Sequence, residues 1–175
     1  MGSNSPPSVH STNLDSFRVM NLTKLYLAGA VKRWHTKPTI KEQDVAAHSW
    51  GVGLILMKIA PDNLVLLRAG LTHDCHELEA GDIPYPFKRN NDIVKEAYDS
   101  QEEAFNEKYG IYHGLTDDER KMLKWADMFE LYLWCKRELQ LGNQGMLHTL
   151  DVAFRALRDM GPPNEVARKL FEDNV

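Results

Sequence analysis

The stretch from Thr116 to Gly142 carries both of its own boundaries. Thr116 and Glu119 form a T-x-x-E capping box, in which hydroxyl and carboxylate satisfy amides that a first helical turn leaves open. The helix is expected to continue to about Leu141, with Gly142 as its stop. The same punctuation recurs along the chain. A first helix is expected from Leu22 to Trp34, followed by HTKPTIKEQ, a loop containing Pro38. Asp44 caps a second helix, with Val45, His48, Val52, Ile55, Leu56 and Ile59 at helical spacing and Pro61 as its stop. Asn63 caps a third, rich in Leu and Ala, which reaches His73 and Asp74. A fourth, acidic helix is expected from about Ile93 to Tyr109, a sixth from about Met146 to Met160, and a short tail helix after Asn164. Between the third and fourth lies ELEAGDIPYPFKRNN, a long loop of the kind that often carries function. Strand signals are poor and no internal repeat is visible. The expectation is an all-α chain: a flexible Ser-, Pro- and Asn-rich arm over 1–14 and one compact helical bundle over 15–175.

Composition narrows the function. A formal net charge of −4 over 175 residues argues against a dedicated binder of nucleic acid polymers. Two cysteines, Cys75 and Cys135, are too few for a disulfide framework or zinc ribbon and read as reduced thiols. No apolar run reaches the ~18 residues of a membrane span. The N-terminus lacks the apolar core of a signal peptide, and its Gly2-Ser3 match to a myristoylation start is too short to weigh. A cytoplasmic protein without membrane contact is expected.

Chemistry concentrates at three inward positions. His73-Asp74 ends the apolar run LLRAGLT, where packing does not explain a carboxylate. Asp127 falls with Leu123, Leu131 and Trp134 on what reads as the buried stripe of the fifth helix. A buried carboxylate is costly unless paired or bound to a metal. His48 falls on the inward stripe of the second helix. Taken singly, each reads more simply as a salt bridge, a cap or a hydrogen-bonded core residue. Together they bring imidazole and carboxylate groups from three helices to inward faces. That mixture suits zinc, manganese, cobalt or iron better than calcium, and two ligands of each type leave positions open for substrate.

His48, His73-Asp74 and Asp127 resemble the H…HD…D signature of HD-domain phosphohydrolases. HDCHELEAGDIPYPFK is similar to the HD-to-Lys segment of bacterial 5′-deoxynucleotidases and related phage dATP triphosphohydrolases. Arg33-Trp34 and KWADMFELYLWCKRELQLGN add to the likeness, which covers roughly Leu22 to Asn143. One departure is Ala47, where such proteins often carry Glu before the histidine; it removes a possible partner of His48 but no ligand.

The resemblance implies an HD-domain bundle with a metal site between helices. His48, His73, Asp74 and Asp127 would hold a divalent transition metal (Co, Mn or Zn), and Glu77 would serve proton transfer. Arg33 and Lys88 would hold phosphate, Asp82 the sugar 3′-hydroxyl, and Trp34 the sugar or base. Pro84 and Thr36 would shape the base pocket; His35 and His76 receive no role, and His10, His113 and His148 read as surface residues. The substrate would be a small deoxynucleotide and the assembly a homo-oligomer. The reading leans to dATP triphosphohydrolysis, because the domain is compact and RWHT resembles that group's segment. The alternatives are a 5′-deoxynucleotidase acting on dNMPs, a non-catalytic nucleotide-binding HD protein, and a cyclic-nucleotide or (p)ppGpp phosphodiesterase.

Overall fold

The computed structural model describes residues 22–111 and 113–175; the arm expected over 1–14 lies outside them. Its helices are α1 (Leu22–Ala28), α2 (Val45–Ile59), α3 (Leu64–Thr72), α4 (Glu77–Ala80), α5 (Tyr85–Arg89), α6 (Asp92–Tyr109), α7 (Asp117–Gln140), α8 (Leu147–Met160) and α9 (Glu165–Glu172), with a 3₁₀ turn at Gln144–Met146. Among the described residues there is no strand, only an isolated antiparallel bridge between Lys32 and Asp44. No helix is long and apolar enough to cross a membrane.

The expected caps form. The Asp44 side chain accepts from the Ala47 amide at 2.8 Å, Asn63 accepts from Leu66 at 2.9 Å, and both halves of the Thr116–Glu119 capping box close. Gly110 ends α6 in the left-handed region at φ 67°, where a side chain would be strained. Asn164 caps α9 and also donates to the Ile59 carbonyl at 2.7 Å, tying the tail to the end of α2.

α7 is the central element and packs chiefly on α8 and α2; α2 in turn lies along α3. The main core joins Val52, Leu56 and Ile59 of α2 to Leu66, Trp125, Phe129 and Leu157. Burying each such side chain contributes on the order of 1.5–3 kcal/mol. The α2–α3 approach depends on Gly70, where a Cβ would run into the Leu56 side chain. That close contact brings the start of α2 and the end of α3 to the same place.

Two expectations about local structure are corrected. The first helix stops at Ala28 instead of Trp34. Beyond it the chain turns, and the bridge from Lys32 to Asp44, with the Arg33 amide donating to the Gln43 carbonyl at 3.0 Å, replaces helical bonds. Trp34 takes φ 62°, a backbone state that costs a bulky residue on the order of 1–3 kcal/mol. The segment read as one loop after Asp74 holds two short helices, α4 and α5.

The segment between α1 and α2 is tied down at its far end as well. Glu138 of α7, fully buried, accepts from the amides of Ile40 at 2.7 Å and Lys41 at 2.9 Å and from Asn143 Nδ2 at 2.8 Å. Asn143 also donates to the Pro38 carbonyl at 3.1 Å, and Lys37 Nζ to Thr149 Oγ1 at 2.7 Å.

Candidate active site

Three helices converge as expected. α2 supplies His48, the C-terminal end of α3 supplies His73 and the following Asp74, and α7 supplies Asp127. One ligand atom each from His48, His73 and Asp74 lie within 4.8 Å of one another. Asp127 joins through His48, whose Nε2 is 3.3 Å from Asp127 Oδ1 and 3.5 Å from Asp74 Oδ2. His73 Nε2 is 3.5 Å from Asp74 Oδ1. Asp127 borders the buried stripe and does not lie at its centre: Trp125, Phe129 and Tyr132 fill the core, while Leu123 and Leu131 are only partly buried.

The donor set fits a cation. The Nε2 atoms of His48 and His73 are buried and have no hydrogen-bond partner. Their Nδ1 atoms are engaged, His48 with Glu130 Oε2 at 2.6 Å and His73 with the Gly70 carbonyl at 3.0 Å. A carbonyl only accepts, so His73 Nδ1 carries a proton there and its Nε2 can present a lone pair. Lone pairs and two carboxylates facing one another are mutually repulsive without a positive ion among them. Two cations sit at the margin: Arg33 Nη1 donates to Asp74 Oδ2 at 2.7 Å and Lys124 Nζ to Asp127 Oδ2 at 2.9 Å. No role for Lys124 was expected from sequence, though its place three residues before Asp127 on a helix puts it on the same face.

His48 is protonated near neutral pH when no cation is present. Burial disfavours its charge, but the carboxylates of Asp127 and Glu130 outweigh that and raise it to about 9. A metal must displace this proton. Zn²⁺ affinity of the metal-free protein is therefore expected to rise by up to about tenfold per pH unit from neutral to about 9, then flatten. Folding stability of that form runs the opposite way. The folded value lies above the ordinary 6.5, so the His48 contribution is complete below 6.5 and lost as pH rises through about 9. Chelator competition and thermal melts across this range measure both; a flat affinity profile would remove His48 from the ligand set.

Glu77 opens α4 and is buried. Tyr98 donates to its Oε1 at 3.5 Å, and its Oε2 has no partner. Burial first, then the negative charges of Asp74 and Asp82, push its carboxyl up to about 8. A carboxyl poised near neutrality beside a cation site suits proton transfer.

The other expected residues separate. Asp82 and Pro84 line a cleft of 510 Å³ together with Lys32, His35 and Phe87; Thr36 is exposed and does not line it. Lys88 Nζ lies 3.9 Å over the Tyr98 ring, beside Glu77. Trp34 packs against Trp134, Cys135 and Met146. His148 is at the surface as expected, and His10 lies outside the described residues. His113, expected at the surface, is half-buried and its Nε2 meets Thr72 Oγ1 at 3.3 Å. Cys75 and Cys135 are free and buried, and burial pushes their thiols up to about 11 and 12, so neither is a poised nucleophile. Sequence reading missed Gln43 and Glu130, both buried: Glu130 bonds His48 and Gln43 bonds Glu130.

An all-helical bundle with His48, His73-Asp74 and Asp127 gathered between three helices defines an HD-domain phosphohydrolase. The chain belongs to the YfbR-like 5′-deoxynucleotidase family, whose model matches residues 22–173. It is 26% identical to a 5′-deoxynucleotidase of Cronobacter sakazakii, over 67% of this chain and 71% of that protein. It is 27% identical to one of Photobacterium profundum, over 65% and 71%. Among solved structures, it is similar to an HD-domain phosphohydrolase of Listeria innocua, with TM-score 0.65, 21% identity and 88% and 85% of the two chains covered. It is also similar to the cyanophage S-2L HD phosphohydrolase DatZ, bound to dA and one catalytic Zn²⁺ ion, with TM-score 0.57, 22% identity and 81% and 83% covered.

Proposed function

We propose that this enzyme hydrolyses the 5′ phosphoester of 2′-deoxyribonucleoside monophosphates, using one divalent transition metal held by His48, His73, Asp74 and Asp127. The observation that carries this is the pair of buried, unpartnered Nε2 atoms of His48 and His73 beside Asp74 and Asp127. Such an ion supplies charge neutralisation at the phosphoryl oxygens and acidity to water. Glu77 takes a proton from the attacking water as the new P–O bond forms. The P–O5′ bond breaks, and that proton goes to the departing 5′-oxygen, leaving a deoxynucleoside and inorganic phosphate. Arg33 and Lys88 stabilise charge on the phosphoryl group.

The same bond is cut when a triphosphate leaves intact, so dATP triphosphohydrolysis is the second reading, favoured by the likeness to DatZ. The match to the YfbR-like 5′-deoxynucleotidase family and to relatives described as 5′-deoxynucleotidases favours the monophosphate reading.

Asp82 in the cleft is assigned to the 3′-hydroxyl, and Trp34, held rigid beside Arg33, to the face that a 2′-hydroxyl would meet. An apolar wall rejects an added hydroxyl by on the order of 100-fold, and a lost hydrogen bond to a buried acceptor costs more. A phosphate-release panel of dNMPs, NMPs, dNTPs, NTPs and cyclic nucleotides with Mn²⁺, Co²⁺ and Zn²⁺ tests this. Phosphate from dNMPs, with ribose and 3′-deoxy analogues poor, is the expected result. Triphosphate released from dATP, with dNMPs inert, would replace it by the second reading; equal use of ribose and deoxyribose would remove the sugar assignment.

A further inference from the structure

We infer that Glu130 and Gln43 are positioning residues, which orient His48 for metal binding and tie it to Trp34 through one hydrogen-bond chain of fixed polarity. The inference rests on the metal reading above and names how that site is kept in order.

The chain has three links. Trp34 Nε1 donates to Gln43 Oε1 at 2.7 Å, Gln43 Nε2 donates to Glu130 Oε1 at 2.8 Å, and Glu130 Oε2 meets His48 Nδ1 at 2.6 Å. An indole N–H can only donate, so it fixes which end of the Gln43 amide faces it. The Gln43 NH₂ must then face Glu130, whose two carboxylate oxygens accept a hydrogen bond from either side. His48 Nδ1 is thereby the donor, so the proton that a metal must displace is the one on Nε2, facing Asp74 and Asp127. Each group has one permitted orientation, set from the Trp34 end.

The surroundings are shaped for this chain. Gln43, His48 and Glu130 are all buried. A Cβ at Gly51 would stand 2.7 Å from Glu130 Cγ and 3.2 Å from its Oε1, so α2 can accept the carboxylate only where it has no side chain. The backbone repeats the link, because the Arg33 amide donates to the Gln43 carbonyl. Trp34 holds its left-handed backbone at the end of this chain.

Donor counting supplies the test. Glu130→Gln keeps size but adds a donor, and no arrangement satisfies it while keeping the His48 Nδ1 proton and the Gln43 orientation. If the new NH₂ faces Gln43, that amide must flip and set its own NH₂ against the indole N–H. If it faces His48, the proton is forced onto Nε2. The double variant Gln43→Glu/Glu130→Gln restores the count. The carboxylate at 43 accepts from Trp34 and from the amide at 130, whose oxygen accepts from His48.

In the full chain, Glu130→Gln is expected to lower Zn²⁺ affinity, read by chelator competition, by roughly 10- to 100-fold. The double variant is expected to return to within about threefold of wild type, which a change that merely loosened the fold would not do. In the metal-free Glu130→Gln protein either the Trp34 indole N–H resonance or the His48 ring-nitrogen resonances should shift, according to which neighbour the new NH₂ faces, and move back in the double variant. Wild-type Zn²⁺ affinity in Glu130→Gln, or a double variant binding no better than Glu130→Gln, would overturn the inference. If wild type itself binds no Zn²⁺, the metal reading fails instead. The indole and His48 ring-nitrogen signals then decide the chain: a shift at either that reverses supports it, and no shift at both refutes it.

Discussion

Asp127→Ala is expected to abolish phosphate release and to leave the purified protein without bound metal. The Asp127 carboxylate stands 3.3 Å from His48 Nε2, and its second oxygen is held by Lys124. Removing a direct ligand should weaken binding by more than about 100-fold, the upper end for residues that only orient a ligand. The fold should survive. Lys124 is 58% exposed, so losing its partner returns it to water at little cost. The core beside it, built on Trp125 and Phe129, is untouched. Elemental analysis after dialysis, with circular dichroism alongside, reads the result. Full metal occupancy in a folded Asp127→Ala protein would take Asp127 out of the ligand set.

Glu77→Gln should separate chemistry from metal binding. The Glu77 side chain is hydrogen-bonded to Tyr98 and is not among the clustered His48, His73 and Asp74 ligand atoms, so metal content should stay that of wild type. Turnover should fall by about 100- to 10,000-fold, the scale of a lost acid–base group, with KM changed far less. Stability supplies an independent check. In the metal-free protein the Glu77 carboxyl lies at about 8, above its ordinary 4.5, because burial and nearby negative charge favour the neutral form. The folded state therefore holds a proton that the unfolded chain has lost, and the wild type weakens as pH rises from 4.5 to about 8. A glutamine cannot ionise, so the variant should lack this part of the decline. Turnover within a fewfold of wild type would return Glu77 to the role of a buried structural carboxyl.

Legibility in the sequence followed how local the determining physics was. Caps at Asp44, Asn63 and Thr116 formed as written, because each is settled by atoms within one turn. The inward placement of His48 was legible from helical spacing, and His73-Asp74 from a carboxylate that packing does not explain and from the motif likeness. The end of α1 was not legible. Gly29, directly after Ala28, is the only local breaker between Leu22 and Trp34, and a lone glycine does not by itself stop a helix; the pairing of Lys32 with Asp44, twelve residues away, completes the departure from helical bonding. Glu130 escaped notice for a related reason. In FELYLW it has the spacing of any helical Glu, and its meaning lies in Gly51 and Gln43, remote in sequence. The motif likeness marked Trp34 as a substrate contact but gave no sign of its inward packing on Trp134 and Met146.

The segment from Gly29 to Asp44 has a thermodynamic consequence. It carries Arg33 and Trp34, yet it is fastened at the bridge to Asp44, at Gln43, and at Glu138 and Asn143. A loop that closed over its ligand would surrender backbone freedom at each encounter, at about 1–2 kcal/mol for every residue that became fixed. Here that entropy is already lost when the chain folds, so this segment would add no ordering cost to the capture of a nucleotide. On the proposed reading, its share of selectivity lies in a standing shape and not in a closing movement.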